Sequence, residues 1–220
     1  MFHFQDKINL AFRLKFLSVR FVFCDFVIVV ANVMGVDYVK TSHNQLNHLT
    51  FLAMVKDCDI GDASRGFLSS YAYIILMIHY LQQVSVLPVL QELHEESQQP
   101  ENLCEGFNTW FQDDPHAIKR LFTCENSKSL SRLWIGFLQY YTECFHFEMI
   151  TVQIRQRDTL MKCDKFGWSS KPICIEDPFE LTHNLGRNVS PENIHCITEQ
   201  FRLYLGVTTA NTFSISRGEK

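Results

Sequence analysis

Two carboxylates and a histidine share one short segment at Asp177, Glu180 and His183. A carboxylate accepts hydrogen bonds and a neutral imidazole donates one, so such a group can read the polar edge of a pyrimidine. The same three residues can also form a loop-and-cap network with no ligand. Tyr71 sits on an apolar helical stripe with Ser70 before it. A tyrosine there fills a core or, with one face open, stacks on a base, a contact worth about 1–3 kcal/mol. Lys56 lies upstream, and a lone lysine ordinarily decorates a solvated face.

Metal chemistry has a weaker claim. Glu143-x-x-His146, Glu180-x-x-His183 and Glu192-x-x-His195 match the spacing found in di-iron bundles, but those sites also require glutamates from two further facing helices. Asp177-Pro178 reads as the entry to a turn rather than a helix. The eight cysteines are scattered with no Cys-x-x-Cys pair, which argues against a zinc ribbon or a dithiol motif. They read as reduced thiols of a cytoplasmic protein.

These residues must be held by packed elements. Leu46, Leu49, Leu52, Ala53 and Val55 recur at helical spacing across 45–58. Gly61 and Gly66 break the chain before a second helix, expected over 67–83, whose stripe runs through Leu68, Tyr71, Ala72, Ile75, Leu76, His79 and Tyr80. Residues 95–128 are polar and read as a surface connection with short helices. A further helix is expected over 130–144 through Leu133, Trp134, Phe137, Leu138 and Tyr141, and Ile173-Cys174-Ile175 reads as a buried strand. Ser190, Pro191 and Glu192 open a last helix to about Leu205, and the polar tail from Thr208 reads as loose.

Residues 16–36 are apolar and long enough to span a bilayer. Arg20 and Asp25 lie inside that stretch, however, and each such charge costs roughly 2.5–3.5 kcal/mol near the bilayer centre. The enrichment in Phe, Val and Ile suits one or two buried strands, and no membrane partner is expected. The 220-residue chain is 46% hydrophobic and 20% charged, values of a globular protein, with net charge −4. RNA contact, if any, must come from a local basic patch rather than from the whole surface.

Three stretches taken together resemble a known family. They are Asp59-Ile60-Gly61-Asp62-Ala63-Ser64-Arg65-Gly66-Phe67-Leu68-Ser69-Ser70-Tyr71-Ala72-Tyr73, Leu133-Trp134-Ile135-Gly136-Phe137-Leu138-Gln139-Tyr140-Tyr141, and Ile175-Glu176-Asp177-Pro178-Phe179-Glu180-Leu181-Thr182-His183-Asn184-Leu185-Gly186-Arg187. In order and spacing, over roughly 45–205, they are similar to the terminal uridylyltransferases and the noncanonical poly(A) polymerases related to them. The resemblance implies an α+β fold: a mostly helical central domain (41–127), a poly(A)-polymerase-associated domain (128–207), a divergent partial remnant of the nucleotidyltransferase sheet (1–40) and a loose tail (208–220).

The implied activity is transfer of UMP from UTP to an RNA 3′ end with Mg²⁺ or Mn²⁺. Tyr71 matches the tyrosine that stacks on uracil, and Ser70 its neighbour that hydrogen-bonds the nucleotide. Lys56 matches the second of two phosphate-holding lysines, and Leu52 stands where the first is expected. His183 matches the histidine that favours uracil over adenine, with Asp177 and Glu180 in support. Arg155, Arg157, Asn184 and Arg187 are candidates for RNA or phosphate contact.

Asp25, in Phe23-Cys24-Asp25-Phe26, is loosely similar to the third metal-binding carboxylate. No Gly-Ser followed by Asp-x-Asp precedes it, so two of the family's three aspartates are missing from the pattern and activity of this chain alone is doubtful. The expectation is a fragment of a uridylyltransferase. The alternatives are a non-catalytic homologue that binds nucleotide or protein, and an adenylyl-transferring relative.

Overall fold

The computed structural model describes residues 54–95, 100–104, 106–124 and 126–218, with side chains to Thr208 in the last helix. Asp25, Leu52, the apolar stretch 16–36 and the expected sheet remnant at 1–40 lie outside the described residues. Four α-helices carry the described structure: α1 (Ser70–Gln83), α2 (Pro115–Leu121), α3 (Leu130–Gln139) and α4 (Pro191–Gly218). Two minimal antiparallel ladders accompany them, β1 (Leu103–Cys104) with β2 (Phe107–Asn108), and β3 (Ile150–Thr151) with β4 (Leu160–Met161). Among the described residues no helix is long and apolar enough to cross a membrane.

Helix α1 begins at Ser70 rather than at Phe67 because Ser69 caps it. The Ser69 hydroxyl accepts from the Ala72 amide at 3.2 Å, a cap worth about 1 kcal/mol. The turn before it is held by Asp62, whose carboxylate accepts from the Ser64 amide and hydroxyl. Asn193 of α4 donates to the Arg65 carbonyl at 3.1 Å, fastening the turn to the last helix. Once started, α1 buries Ala72, Tyr73, Ile75, Leu76, Ile78, His79, Tyr80 and Leu81. It is apolar around most of its circumference, as a helix through the middle of a core must be.

Around α1 the core is largely aromatic. Helix α3 packs along α4 and touches α1, and Phe137 meets Tyr80, Tyr141 and Phe201 with ring centroids 5.8, 5.2 and 5.6 Å apart. Edge-on and tilted ring pairs of this kind add about 0.5–1.5 kcal/mol each beyond their buried area. Beyond Gln139 the helix widens into a π-helical turn, Tyr140–Cys144. Both Tyr140 and Tyr141 thereby reach inward: Tyr141 donates to the Leu76 carbonyl at 2.8 Å and Tyr140 meets His79. The expected single helix over 130–144 is thus two helical types. The tail also differs from expectation, because α4 continues past Leu205 and Thr208 to Gly218.

The expected strand at 173–175 is instead a pair of single bridges. Ile175 pairs with Val152 in parallel and Glu176 with Asn184 in antiparallel fashion. Segment 173–177 is therefore held between the β3 side and the loop that returns through Asn184. It is buried by both, which is why its apolar run reads as strand.

His79 joins the two expected domains. Its Nδ1–H donates to the Gln153 carbonyl at 2.7 Å, and its Nε2 accepts from the Tyr140 hydroxyl at 3.3 Å. Both nitrogens are used by the neutral ring, and burial pushes its pKa from 6.5 down to about 4. Between those values the unfolded chain binds a proton that the folded chain refuses, so folding stability rises with pH there and is lost as pH falls. The full loss is roughly 3 kcal/mol. In urea unfolding near pH 7 and about pH 5, the native chain should lose ~2 kcal/mol more than His79→Gln. Equal losses would show that His79 is not held neutral.

Candidate functional site

Of the residues singled out from the sequence, Tyr71, Asp177, Glu180 and His183 meet where the start of α1 reaches the loop after Glu176. Asp177 is buried, and its Oδ1 accepts from the amides of Phe179 and Glu180, each at 2.9 Å. Its Oδ2 accepts from the Tyr71 hydroxyl at 3.0 Å. One carboxylate thus closes the turn on its own loop and ties that loop to α1 across 106 residues of sequence. Burial first, and then the neighbouring Asp177 charge, push the Tyr71 pKa far above its ordinary value, so the hydroxyl remains a donor. Ser70, one position earlier, is exposed at the first turn of the helix.

His183 is fixed through its backbone. Its amide donates to the Glu180 carbonyl at 2.8 Å, and its carbonyl accepts from the Asp177 amide at 3.1 Å. The imidazole keeps 25% of its surface, with Nδ1 3.7 Å from the Glu180 carboxylate, an electrostatic contact longer than a hydrogen bond. A hydrogen-bonded loop therefore presents a ring and a carboxylate to solvent, and the same loop holds the Tyr71 hydroxyl through Asp177.

Asn184 does a different task from the one expected of it. Its side chain is buried, Oδ1 accepting from the amides of Ile175 and Gly186 at 3.0 and 2.8 Å. It is the buckle of the returning loop rather than a free contact for RNA. Gly186 completes the buckle, since a Cβ there would lie 2.9 Å from the Ile173 carbonyl oxygen, closer than backbone tolerates.

Arg155 is likewise occupied. Its Nε donates to Glu176 Oε1 at 2.8 Å, and Lys165 pairs with the other oxygen of the same carboxylate. Glu176 has 0% exposure, so two cations neutralise a buried charge directly before the Asp177 loop. Lys165 was not distinguished by sequence reading, and nothing local marks it: its partner is separated from it in sequence and its composition is that of an ordinary surface lysine.

Arg157 is exposed and reaches Glu92 through its amide at 3.1 Å and its guanidinium at 3.8 Å. Arg187 is exposed just beyond the His183 loop. Lys56 is exposed on the helical segment 54–57, while its neighbours Met54 and Val55 are buried under α1. Among the described residues no three histidine, cysteine or acidic side chains converge on a point that could hold a metal ion. No two-metal centre is therefore assembled among the described residues, and Asp25 lies outside them.

Residues 129–183 match the model of the Cid1 family poly A polymerase. The chain is 44% identical over 156 residues to human terminal uridylyltransferase 4, covering 69% of this chain and 9% of that protein. It is 32% identical over 151 residues to the mouse poly(A) RNA polymerase GLD2, covering 65% of this chain and 29% of that one. The solved structure of Cid1 in complex with the UTP analogue UMPNPP superposes with a TM-score of 0.61 at 31% identity, covering 71% of this chain and 48% of that one. The chain thus spans about half of the Cid1 structure and less than a tenth of the uridylyltransferase.

Proposed function

This chain belongs to the family of terminal uridylyltransferases and related poly(A) polymerases, and we propose that it binds UTP and serves the transfer of UMP to an RNA 3′ end. The observation that carries the reading is the Tyr71–Asp177–His183 arrangement. Asp177 links the other two: its carboxylate accepts from the Tyr71 hydroxyl and its backbone amide donates to the His183 carbonyl. Tyr71 would take the base face, Ser70 the sugar side, and Lys56 the phosphates as a mobile point charge. His183, oriented by the pinned loop and by Glu180, would pair with the polar edge of the pyrimidine. A purine would forfeit that pairing and leave polar groups unmet.

Mg²⁺ or Mn²⁺ belongs to the same reading. The ions would neutralise the triphosphate and activate the RNA hydroxyl, but Asp25 lies outside the described residues and no step is assigned to it. A cytoplasmic location belongs to the same reading.

Calorimetric titration of the full chain with UTP and ATP tests the reading. UTP should bind more tightly, though weakly in absolute terms because Leu52 stands where a second phosphate lysine is expected. His183→Ala should bring the two nucleotides to within about twofold of each other. Equal affinity in the unaltered chain would sink the role of His183. A preference for ATP would favour adenylyl transfer instead, the reading that similarity to GLD2 supports.

A further inference from the structure

The loop before the Glu176 segment opens a second face beside His183. An open cleft of about 380 Å³ runs from Glu180 and His183 past Arg187 to Phe166, Trp168 and Lys171. Phe166 is fully exposed, with 105% of its reference surface. Its tip position depends on Gly167, which adopts φ +74°, a left-handed conformation that other residues rarely take. The turn under it is rigid. The Lys165 amide donates to the Lys162 carbonyl and the Trp168 amide to the Lys165 carbonyl, each at 3.2 Å. Trp168 itself is buried.

The cations around this ring are not equivalent. Lys165 is turned onto buried Glu176 and over the Trp168 ring. The Lys171 ammonium donates to the Arg187 carbonyl, at a long 3.3 Å. The Arg187 guanidinium has no ion-pair partner among the described residues. The cleft therefore offers one bare aromatic face, two available cations and one carboxylate, Glu180. An apolar peptide side chain would find no deep pocket here, because Trp168 is buried and Phe166 stands alone in solvent. A nucleobase needs only a face, and its phosphate needs the charges.

We propose that this cleft holds single-stranded RNA next to the nucleotide site, one base stacked on Phe166 and its phosphate between Lys171 and Arg187. The proposal rests on the reading of the His183 loop as the base site, because continuity with that loop is what places an RNA strand here.

The test uses the full chain, fluorescence anisotropy with a labelled short oligo(U), and a parallel titration with UTP in the absence of RNA. Phe166→Ala should weaken RNA binding roughly five- to a hundredfold and change UTP affinity by less than about twofold, since Phe166 touches none of Tyr71, Asp177 or His183 through a hydrogen bond. Joint Lys171→Gln and Arg187→Gln should lower the slope of log affinity against log salt by about one. Full exposure of Phe166 means the thermal midpoint should not move. Unchanged RNA affinity in Phe166→Ala, equal loss of RNA and UTP, or no RNA binding by the unaltered chain would each overturn the proposal. So would tighter binding of a polyglutamate peptide than of the RNA, which would give the cleft to a protein partner. Failure of UTP discrimination is read from the RNA-free titration alone, and would sink the nucleotide reading separately.

Discussion

UTP binding should fall roughly five- to a hundredfold when Tyr71 becomes alanine, because loss of the stacking face removes about 1–3 kcal/mol. Loss of the hydroxyl also takes from the buried Asp177 carboxylate one of its three hydrogen bonds, which costs about 1–3 kcal/mol of stability and loosens the loop that carries His183. Tyr71→Phe separates the two. It keeps the ring and should lose only several-fold in affinity, with the remainder of the alanine effect assigned to stacking. Cys163, exposed on the turn after β4, supplies the control: Cys163→Ala should bind UTP as the native chain does. Calorimetry at one salt concentration resolves all three. If Tyr71→Ala stays within about twofold of native, Tyr71 is a core residue of α1 and the base site must be sought elsewhere.

The parts of this arrangement differ in how far sequence alone reveals them. Residue type and spacing were enough for α1, because a stripe that continues around most of a helix has no other place than a core. It is the family resemblance, carried by the two motifs that hold them, that brings Tyr71, Asp177 and His183 under one hypothesis. The bond between Tyr71 and Asp177 was not legible, since nothing local couples residues 106 positions apart. The π-helical turn at Tyr140–Cys144 has no sequence signature. It is selected by tertiary contacts, the demand that two successive tyrosines both face inward. The polar end of α4 reads as a tail because polar residues are common to both states. Arg155 and Asn184 were taken for RNA contacts because an arginine or asparagine on a loop usually faces solvent. Their partners, buried Glu176 and the amides of Ile175 and Gly186, are supplied by the fold.

Glu176 then explains how the His183 loop is held in place, and it yields the second large effect. A carboxylate at 0% exposure is tolerable only with its charge met, here by Arg155 on one oxygen and Lys165 on the other. Replacing both cations, as Arg155→Met with Lys165→Met, should destabilise the chain by about 3–5 kcal/mol, the usual consequence of leaving a buried charge uncompensated. Each single replacement should lose less than half of that, because the remaining cation still pairs, so the two effects should be strongly non-additive. Adding Glu176→Gln to the double variant should recover most of the loss, since the stranded charge is then gone. Urea unfolding of the native chain and the four variants measures this directly. UTP affinity should follow the same order, because Glu176 and Asp177 are adjacent and the second cannot hold Tyr71 if the first is displaced. A double variant that is destabilised but not rescued by Glu176→Gln would mean that the methionines disturb packing and that the ion clamp is not what positions the loop.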